Sequence, residues 1–487
     1  MQIPNTNALA ATLVSALARK LDAQLIETHI SWVLLAGDIA YKIKKPHRLP
    51  FVDYSTLEAR LHFCEEELRL NARLAPLLYL GITRITGTHQ LPVLDGPGTA
   101  LEYAVRMQRF AQGALFSEQL DAGILRVSDV DHLAAVLALF HERAPRADVT
   151  SAFASAERRR AAALQALEGV RTLACQGDFK RLRDWIEAEA LVLAPLWASR
   201  KAAGCVRECH GDLHLANVVL VDGAVLAFDC IEFDLALRWI DVLDDAAFVV
   251  MDFAARDRKD FAFRFLNAWL DQTGEHQGLP ALRFAVVYRA LVRAQVAHLR
   301  AAGEDRTAHR YLRTALAWIE PPRARLFITS GLPGSGKTFA SQRVLEHEGA
   351  IRLRSDVERK RLFGIGALES SRSSGLDLYS ADATTRTYAH LFKLAQIALG
   401  AGYPVILDAA FLRRAERLHA LKFALALNVP FSIVVCEAPL AVLRERLQTR
   451  KGDASEANLT VLDQLRAVAE PLSGDELALV YRLEGSH

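Results

Sequence analysis

The stretch Gly331-Leu332-Pro333-Gly334-Ser335-Gly336-Lys337-Thr338 lies between a short apolar run at residues 326–330 and a helical pattern that begins near residue 339. Glycines at this spacing let backbone N–H groups converge on a phosphate, and the helix N-terminus adds its partial positive charge. Lys337 would reach the β- and γ-phosphates, and Thr338 would contact Mg²⁺. The sequence therefore predicts a nucleotide-binding P-loop with the candidate cofactor-binding residues Gly331, Gly334, Ser335, Gly336, Lys337 and Thr338.

Strand and helix patterns alternate on the carboxyl side of this loop. Apolar runs of strand length lie at residues 351–353, 404–407 and 431–436, and helical patterns lie at residues 339–347, 414–427 and 439–450. Such alternation predicts an α/β domain with a parallel sheet flanked by helices. Glu320-Pro321-Pro322 breaks the helical pattern that precedes it. We therefore expect two domains, residues 1–320 and 321–487.

Charged residues downstream of the P-loop suggest a phosphotransferase. Asp356 follows the strand at 351–353, where its carboxylate would orient an attacking hydroxyl, and Arg359 lies one turn later, where it would hold an anionic acceptor. Asp408 closes the strand at 404–407 and is the candidate for ordering the Mg²⁺ shell. A lid that closes on the transferred phosphate is predicted at Arg444, Arg446 and Arg450, with a solvated helix face as the alternative.

A second phosphate-handling pattern lies about 120 residues earlier, in His210-Gly211-Asp212-Leu213-His214-Leu215-Ala216-Asn217. Phosphoryl transfer needs an acceptor-orienting carboxylate and metal ligands that neutralise developing charge. Asp212 is the candidate catalytic base. Asn217 precedes a predicted hairpin at residues 218–228, and Asp229 ends that hairpin, so the two side chains are expected to share a metal ion.

This motif resembles that of the aminoglycoside phosphotransferase family, which has the protein-kinase-like fold. The resemblance covers roughly residues 25–310 and implies a bilobal α+β domain with Asp212 as base and Asn217 and Asp229 as Mg²⁺ ligands. It also implies that Asp241 braces the catalytic loop. His210 and His214 are expected to be architectural.

The donor side of this first site is predicted from Tyr41-Lys42-Ile43-Lys44-Lys45. A strand places Lys42 and Lys44 on one face. Lys44 is the preferred phosphate-binding lysine because Ile43-Lys44 is similar to the end of the kinase Val-Ala-Ile-Lys strand, and Lys42 is the alternative. Glu67 is the expected ion-pair partner, and residues 102–107, ending at Met107, resemble the hinge that contacts adenine. Only Ala36-Gly37-Asp38 stands where kinases have a glycine-rich loop.

The C-terminal part resembles small P-loop kinases such as zeta toxins, gluconate kinase, chloramphenicol phosphotransferase and polynucleotide kinase. The tandem arrangement resembles the bacterial bifunctional aminoglycoside phosphotransferase/ATP-binding proteins over nearly the whole chain. These resemblances imply a phosphotransferase that uses ATP and Mg²⁺ as cofactors and a small-molecule hydroxyl as acceptor.

Composition narrows the remaining possibilities. The chain has 487 residues, a formal net charge of +2, 51% hydrophobic and 24% charged residues, which is typical of globular proteins. Six scattered cysteines, the lack of a leader pattern and the lack of an 18-residue apolar run favour a cytoplasmic protein without a membrane span. Nucleic acid is not expected as a partner. Two alternatives stay open: a regulatory protein with an ATP-driven switch, and a C-terminal kinase of nucleotides or nucleic-acid ends.

Overall fold

The computed structural model describes residues 6–49, 52–300, 306–366, 380–449 and 458–482. The chain forms two compact units, one of residues 1–155 and 199–249, the other of residues 156–198 and 250–487. Helical segments that precede residue 320 therefore group with the P-loop segment. The division into domains 1–320 and 321–487 stays a prediction, because these two units are defined by contacts in space and not by sequence.

The first unit contains a six-stranded antiparallel sheet with the order β1-β2-β3-β8-β6-β7 and a separate two-stranded ribbon, β4-β5. Strands β2 and β3 form a hairpin around Gly37 and Asp38, in which residues pair from Ser31↔Lys44 to Ala36↔Ile39. The strands are β1 (Gln24–Glu27), β2 (Ser31–Ala36), β3 (Ile39–Lys44), β4 (Arg48–Leu49), β5 (Val52–Asp53), β6 (Tyr79–Gly87), β7 (Pro92–Leu94) and β8 (Glu102–Gln108).

Each face of this sheet packs against different residues. Trp32 and Leu34 contribute to a core with α1 (Thr6–Lys20), whereas Val33 and Leu35 face a core that includes Cys64 of α2 (Leu57–Asn71). This alternation follows the two-residue period of a strand. On β3 the same period places Ala40, Lys42 and Lys44 on the side of α2.

The rest of the first unit is mainly helical and includes two short ribbons, β10-β11 and β9-β12. A sheet followed by helices and a catalytic-loop hairpin is the arrangement of the protein-kinase-like fold, which confirms the predicted α+β class. In chain order its remaining elements are α3 (Phe116–Asp121), α4 (Val127–Arg143), β9 (Val206–Glu208), β10 (Val218–Val221), β11 (Ala224–Ala227), α7 (Leu235–Arg238), β12 (Trp239–Asp241) and the first part of α8 (Val242–Ala255). The intervening helix α5 (Ala156–Glu168) and most of α6 (Gln176–Ala202) group with the second unit.

The second unit contains a four-stranded parallel sheet with the order β14-β15-β13-β16, which confirms the predicted α/β class. All residues of its two central strands are buried, as expected for a parallel sheet covered on both faces. The elements are α9 (Lys259–Thr273), α10 (Leu279–Arg300), α11 (Arg306–Ile319), β13 (Leu326–Ser330), α12 (Lys337–Glu348), β14 (Ile351–Arg354), α13 (Ser355–Leu362), α14 (Ala381–Gly400), β15 (Val405–Asp408), α15 (Arg414–Ala426), β16 (Phe431–Val435), α16 (Leu440–Thr449), α17 (Leu459–Ala467) and α18 (Gly474–Leu477).

A side chain of helix α9 forms hydrogen bonds with backbone groups at the β14 edge of this sheet. The buried Asn267 side chain donates from Nδ2 to the carbonyl of Ala350 at 2.8 Å, and its Oδ1 accepts the Arg352 amide at 2.6 Å. Edge strands carry unpaired backbone groups that need such partners when they are buried. One amide side chain therefore takes the place of a neighbouring strand on β14.

Candidate active sites

A cleft of about 1160 Å³ lies in the second unit beside the carboxyl ends of β13 and β15. The carboxyl ends of parallel strands are where such sheets bind ligands. Three groups of predicted residues line this one cleft: the P-loop, the acidic residue that ends β15, and the first turns of α13. They include Gly334, Ser335, Gly336, Lys337, Thr338, Asp356, Arg359 and Asp408.

The P-loop backbone has the shape that its glycines allow. Gly336 caps α12 with φ +93°, and a Cβ at Gly331 would lie 2.3 Å from the carbonyl oxygen of Cys436. The Nζ of Lys337 donates to the carbonyls of Gly331 and Leu332 at 2.9 and 3.0 Å, so the lysine lies over the loop. The buried hydroxyl of Ser335 has no hydrogen-bond partner among the described residues. An unsatisfied hydroxyl inside such a loop fits a phosphate ligand.

Asp408 lines the same cleft. Its Oδ2 accepts from the hydroxyl of Ser341 at 2.9 Å, and the side chain is buried. Thr338, in the first turn of α12, also lines the cleft. Hydroxyl and carboxylate oxygens are the ligands that Mg²⁺ prefers, so Thr338 and Asp408 are chemically suited to a Mg²⁺ site, directly or through water.

The cleft is also lined by an acidic residue and by basic residues from outside the P-loop. The Nη1 of Arg359 lies 3.7 Å from the Oδ1 of Asp356, and Arg354 and Arg413 line the cleft nearby. A carboxylate beside several guanidinium groups can orient a hydroxyl while cations hold an anionic part of the same molecule. These residues therefore have the features expected of an acceptor site.

The predicted lid arginines lie in different environments. Arg446 lines the cleft, and its Nη1 donates to the carbonyl of Gly334 in the P-loop at 3.0 Å. Arg444 lies on an exposed part of α16, 3.3 Å from Asp463. Arg450 and the neighbouring residues 451–453 lie outside the described residues. Contact with the P-loop thus favours Arg446 as a phosphate-contacting residue.

The catalytic loop of the first unit is braced by buried groups. His210 donates from Nε2 to the carbonyl of Phe228 at 2.9 Å, and its Nδ1 accepts from the amide of Asp212 at 3.3 Å. Burial lowers the pKa of His210, although nearby carboxylates, of which Asp245 is the strongest, oppose this effect. A neutral imidazole with both nitrogens engaged is consistent with the predicted architectural role.

The hairpin places the two predicted metal ligands beside the catalytic loop. Asn217 precedes β10 and Asp229 follows β11, and the amide of Phe228 donates to the carbonyl of Asn217 at 3.0 Å. The Nδ2 of Asn217 donates to the carbonyl of Asp212 at 2.9 Å, so the opposite atom of that amide, Oδ1, is the one suited to a cation. The carboxylate of Asp229 is 45% exposed. Two oxygen ligands on neighbouring elements fit Mg²⁺.

Both candidate lysines contact Glu67, but they have different surroundings. Lys42 lies 2.7 Å from Glu67 and 2.5 Å from Asp229, and it is 14% exposed. Lys44 is buried, lies 2.7 Å from Glu67 and forms a second ion pair with Glu232. Burial by itself would raise the pKa of Glu67, but the two ammonium groups outweigh it and lower the pKa to about 2. The geometry thus distinguishes a lysine next to a predicted metal ligand from a lysine enclosed between two acids.

Met107 is not in a linker between lobes. It lies inside β8, opposite Ala40 on one side and Tyr79 on the other, and it is buried. The chain leaves the sheet only after Gln108. Phe110 in the following segment lies 5.4 Å from Phe228, measured between ring centroids. The free backbone of a hinge would therefore come after β8 rather than at Met107.

The loop-bracing role implied for Asp241 belongs to a different residue. Asp245 accepts the backbone amides of His210 at 3.0 Å and Gly211 at 2.9 Å, whereas Asp241 forms a bidentate ion pair with Arg200. Burial would raise the pKa of Asp245, but a hydrogen bond from His141 and nearby charges lower it to about 2. Sequence analysis also missed Glu232 and Tyr79, whose hydroxyl accepts from the Asp229 amide at 3.2 Å. No local signal singles out these three residues, because their partners are distant in sequence.

Comparison with known proteins places the chain in a family. It is 32% identical to the uncharacterized protein Rv2004c of Mycobacterium tuberculosis over 451 aligned residues. The aligned region covers 91% of this chain and 89% of the relative. The uncharacterized protein Mb2027c of Mycobacterium bovis matches equally well. The chain belongs to their family. A family model described as an AAA domain, AAA_33, matches residues 326–472, and the predicted combination of an aminoglycoside-phosphotransferase-like part with a P-loop kinase domain is confirmed.

Solved structures match parts of the chain. A choline kinase from Cryptosporidium parvum is 11% identical, covers 63% of this chain and 94% of its own, and has a TM-score of 0.40. An amicoumacin kinase bound to AMP-PNP and Ca²⁺ is 12% identical, covers 63% and 93%, and has a TM-score of 0.41. The Mycobacterium tuberculosis APS kinase is 25% identical, covers 26% and 71%, and has a TM-score of 0.21.

The two folds together support ATP-dependent phosphoryl transfer as the general activity of this chain. In the described part of the chain, every helix is too short or too polar to cross a bilayer.

Proposed function

We propose that this chain is an ATP- and Mg²⁺-dependent phosphotransferase with two nucleotide sites that transfers the γ-phosphoryl group to hydroxyls of small molecules. The observation that carries the proposal is the single cleft that joins Lys337, Asp408 and Asp356. These residues lie far apart in sequence and represent the phosphate-binding, metal-binding and acceptor-orienting functions that phosphoryl transfer requires. A binding module would need only the first of the three.

In the P-loop cleft we assign the donor phosphates to the P-loop amides and Lys337. Asp356 orients the acceptor hydroxyl and takes its proton, and Arg359 holds an anionic group of the acceptor. Mg²⁺, when bound near Thr338 and Asp408, would neutralise charge on the phosphates. Arg446 contacts the P-loop and lies where a cation would stabilise the transferred phosphoryl group. Arg450 stays a predicted lid residue.

In the first unit we assign the phosphate-binding role to Lys42 and not to Lys44. Lys42 is partly exposed and contacts Asp229, whereas both acidic partners of Lys44 are buried with it. Asp212 is the proposed base, and Asn217 and Asp229 are the proposed Mg²⁺ ligands. We place the adenine contact in the segment after Gln108, because Met107 is enclosed in the sheet.

Calorimetry with Mg·AMP-PNP tests whether there are two nucleotide sites. We expect two bound nucleotides per full-length chain, one in Lys337→Ala, one in Asp229→Asn and none in the double variant. The matched control Arg444→Ala, on an exposed part of α16, is expected to bind two. Binding of a single nucleotide by the unchanged protein would show that the two-site proposal is wrong.

Transfer of the γ-phosphoryl group tests the reaction. The full-length protein is incubated with γ-labelled ATP and a panel of hydroxyl-bearing metabolites, and labelled phosphoester products are separated from inorganic phosphate. We expect a phosphoester that disappears in Asp356→Asn or in Asp212→Asn, according to which site forms it. Release of inorganic phosphate alone across the panel would favour the ATP-driven switch. A cytoplasmic location, where ATP is abundant, belongs to the same proposal.

A further inference from the structure

The segment that carries Asp229 is held by contacts to β3, β6, α2 and Tyr54. We call residues 229–232 the metal loop. Asp229 has φ +65°, in the left-handed region that residues other than glycine adopt uncommonly, although aspartate does so more readily than most. The contacts that hold this conformation therefore bear on the position of its carboxylate.

Two backbone amides at the start of the metal loop are bound by side chains. The hydroxyl of Tyr79 accepts from the amide of Asp229 at 3.2 Å, and the Oδ1 of Asn71 accepts from the amide of Cys230 at 2.9 Å. Tyr79 belongs to β6 and Asn71 to α2. These bonds fix the beginning of the loop and leave the Asp229 carboxylate partly exposed.

The end of the metal loop is fixed by a buried charged group. The carboxylate of Glu232 is 4% exposed, accepts from the hydroxyl of Tyr54 at 2.6 Å and forms an ion pair with Lys44. Lys44 is 1% exposed and also contacts the Oε2 of Glu67 at 2.7 Å. Through its contact with Lys44, the buried carboxylate of Glu232 connects the end of the metal loop to β3.

Glu67 connects this buried group to the proposed nucleotide site. Its Oε1 contacts Lys42 and its Oε2 contacts Lys44, both at 2.7 Å. Lys42 in turn contacts Asp229. With one carboxylate oxygen committed to Lys44, the other orients Lys42 toward the metal loop. A chain of contacts that begins at Glu232 thus reaches Asp229 through Lys44, Glu67 and Lys42.

We propose that Glu232, together with Lys44 and Tyr54, is a positioning residue that holds the metal loop so that Asp229 can bind Mg²⁺. In this proposal Glu232 acts through the loop and is not itself a ligand of nucleotide or metal. This inference rests on the proposed Mg·ATP site of the first unit. It assigns a separate purpose to Lys44, which sequence reasoning preferred as the phosphate lysine.

The test uses the full-length protein with Lys337→Ala, which removes nucleotide binding at the P-loop. Binding of AMP-PNP is measured by calorimetry in Mg²⁺ and, separately, in EDTA. Glu232→Gln keeps the shape of the side chain and removes its charge, and Tyr54→Phe removes one hydrogen bond. Glu65→Gln makes the same charge change on the exposed side of α2 and is the matched control. Thermal unfolding of each variant reports whether it is folded.

Glu232→Gln is expected to weaken binding of Mg·AMP-PNP by about 10- to 100-fold, the range seen when a partner of a metal ligand is lost. Binding in EDTA is expected to be unchanged, and Tyr54→Phe to show a smaller loss in the same direction. If both variants bind Mg·AMP-PNP as tightly as Glu65→Gln, the inference is wrong. An equal loss with and without Mg²⁺ also overturns it, because it indicates a general effect on the fold.

Two further outcomes have a defined meaning. If Glu232→Gln does not fold, the Mg²⁺ dependence of Tyr54→Phe alone decides between support and rejection. If the Lys337→Ala background binds no Mg·AMP-PNP at all, the proposed nucleotide site in the first unit is wrong, and the inference fails with it. That result differs from the case in which the background binds nucleotide and Glu232→Gln matches the control.

Discussion

Replacement of Asn267 by leucine should loosen the P-loop sheet although the change lies about 60 residues before that sheet begins. Leucine has a similar size but cannot pair with the carbonyl of Ala350 or the amide of Arg352, whose bonds to Asn267 are 2.8 and 2.6 Å long. Each buried backbone group left without a partner costs about 1–3 kcal/mol. We therefore expect a loss of about 2–6 kcal/mol in the local stability of β14.

Hydrogen exchange followed by mass spectrometry measures this loss in the intact chain. A loss of 2 kcal/mol corresponds to an increase of about 30-fold in the exchange of amides that open with β14. Peptides that cover β14 (Ile351–Arg354) should therefore exchange faster, and peptides that cover β16 on the opposite edge serve as an internal reference. Gln272→Leu removes an exposed amide from the same helix and is the matched control. If β14 exchanges at the same rate in Asn267→Leu and Gln272→Leu, then Asn267 does not complete this sheet edge.

Three other predictions concern the two sites. Arg446→Ala should lower the rate of phosphoryl transfer at the P-loop site by about 10²- to 10³-fold, as loss of a transition-state donor does. Arg444→Ala should change this rate little. If the two variants transfer phosphate at the same rate, Arg446 is not part of the lid. Asp212→Asn should lower transfer by the first unit by about 10²-fold or more while Mg·AMP-PNP binding persists, and an unchanged rate would remove Asp212 as the base. Because the folded pKa of Glu67 is about 2, below its usual 4.5, its stabilising charge is fully present above about pH 4.5 and is lost as the pH falls toward 2. The difference in thermal stability between the unchanged protein and Glu67→Gln should therefore narrow between pH 5 and pH 3, and a constant difference would show that the ion pairs of Glu67 contribute nothing.

Contacts that are local in sequence could be predicted well. The eight residues 331–338 form the P-loop because glycine conformations and a helix N-terminus are properties of one short segment. The catalytic loop and Asp229 could be predicted for the same reason, because a four-residue ladder between β10 and β11 brings their ends together. The hairpin of β2 and β3 and the alternation of strands and helices after residue 326 also follow from local patterns.

Choices between similar residues depended on partners far along the chain. Lys42 and Lys44 share one face of β3, so a two-residue period cannot separate them; the acids that do so, Asp229 and Glu232, lie more than 180 residues later. Asp241 ends β12 and Asp245 lies in the first turn of α8, and only the folded chain directs Asp245 to the amides of His210 and Gly211.

The sequence by itself determined two segments that are predicted to bind phosphate, residues 331–338 and the loop at residues 210–217, because short-range backbone geometry is encoded locally. Tertiary structure alone decided that Lys42 is the lysine that contacts Asp229, that Asp245 is the aspartate that braces the loop, and that Asn267 completes the P-loop sheet. The physical reason is that burial and ion pairing depend on which distant side chains meet in space, and no local period in the sequence records those meetings.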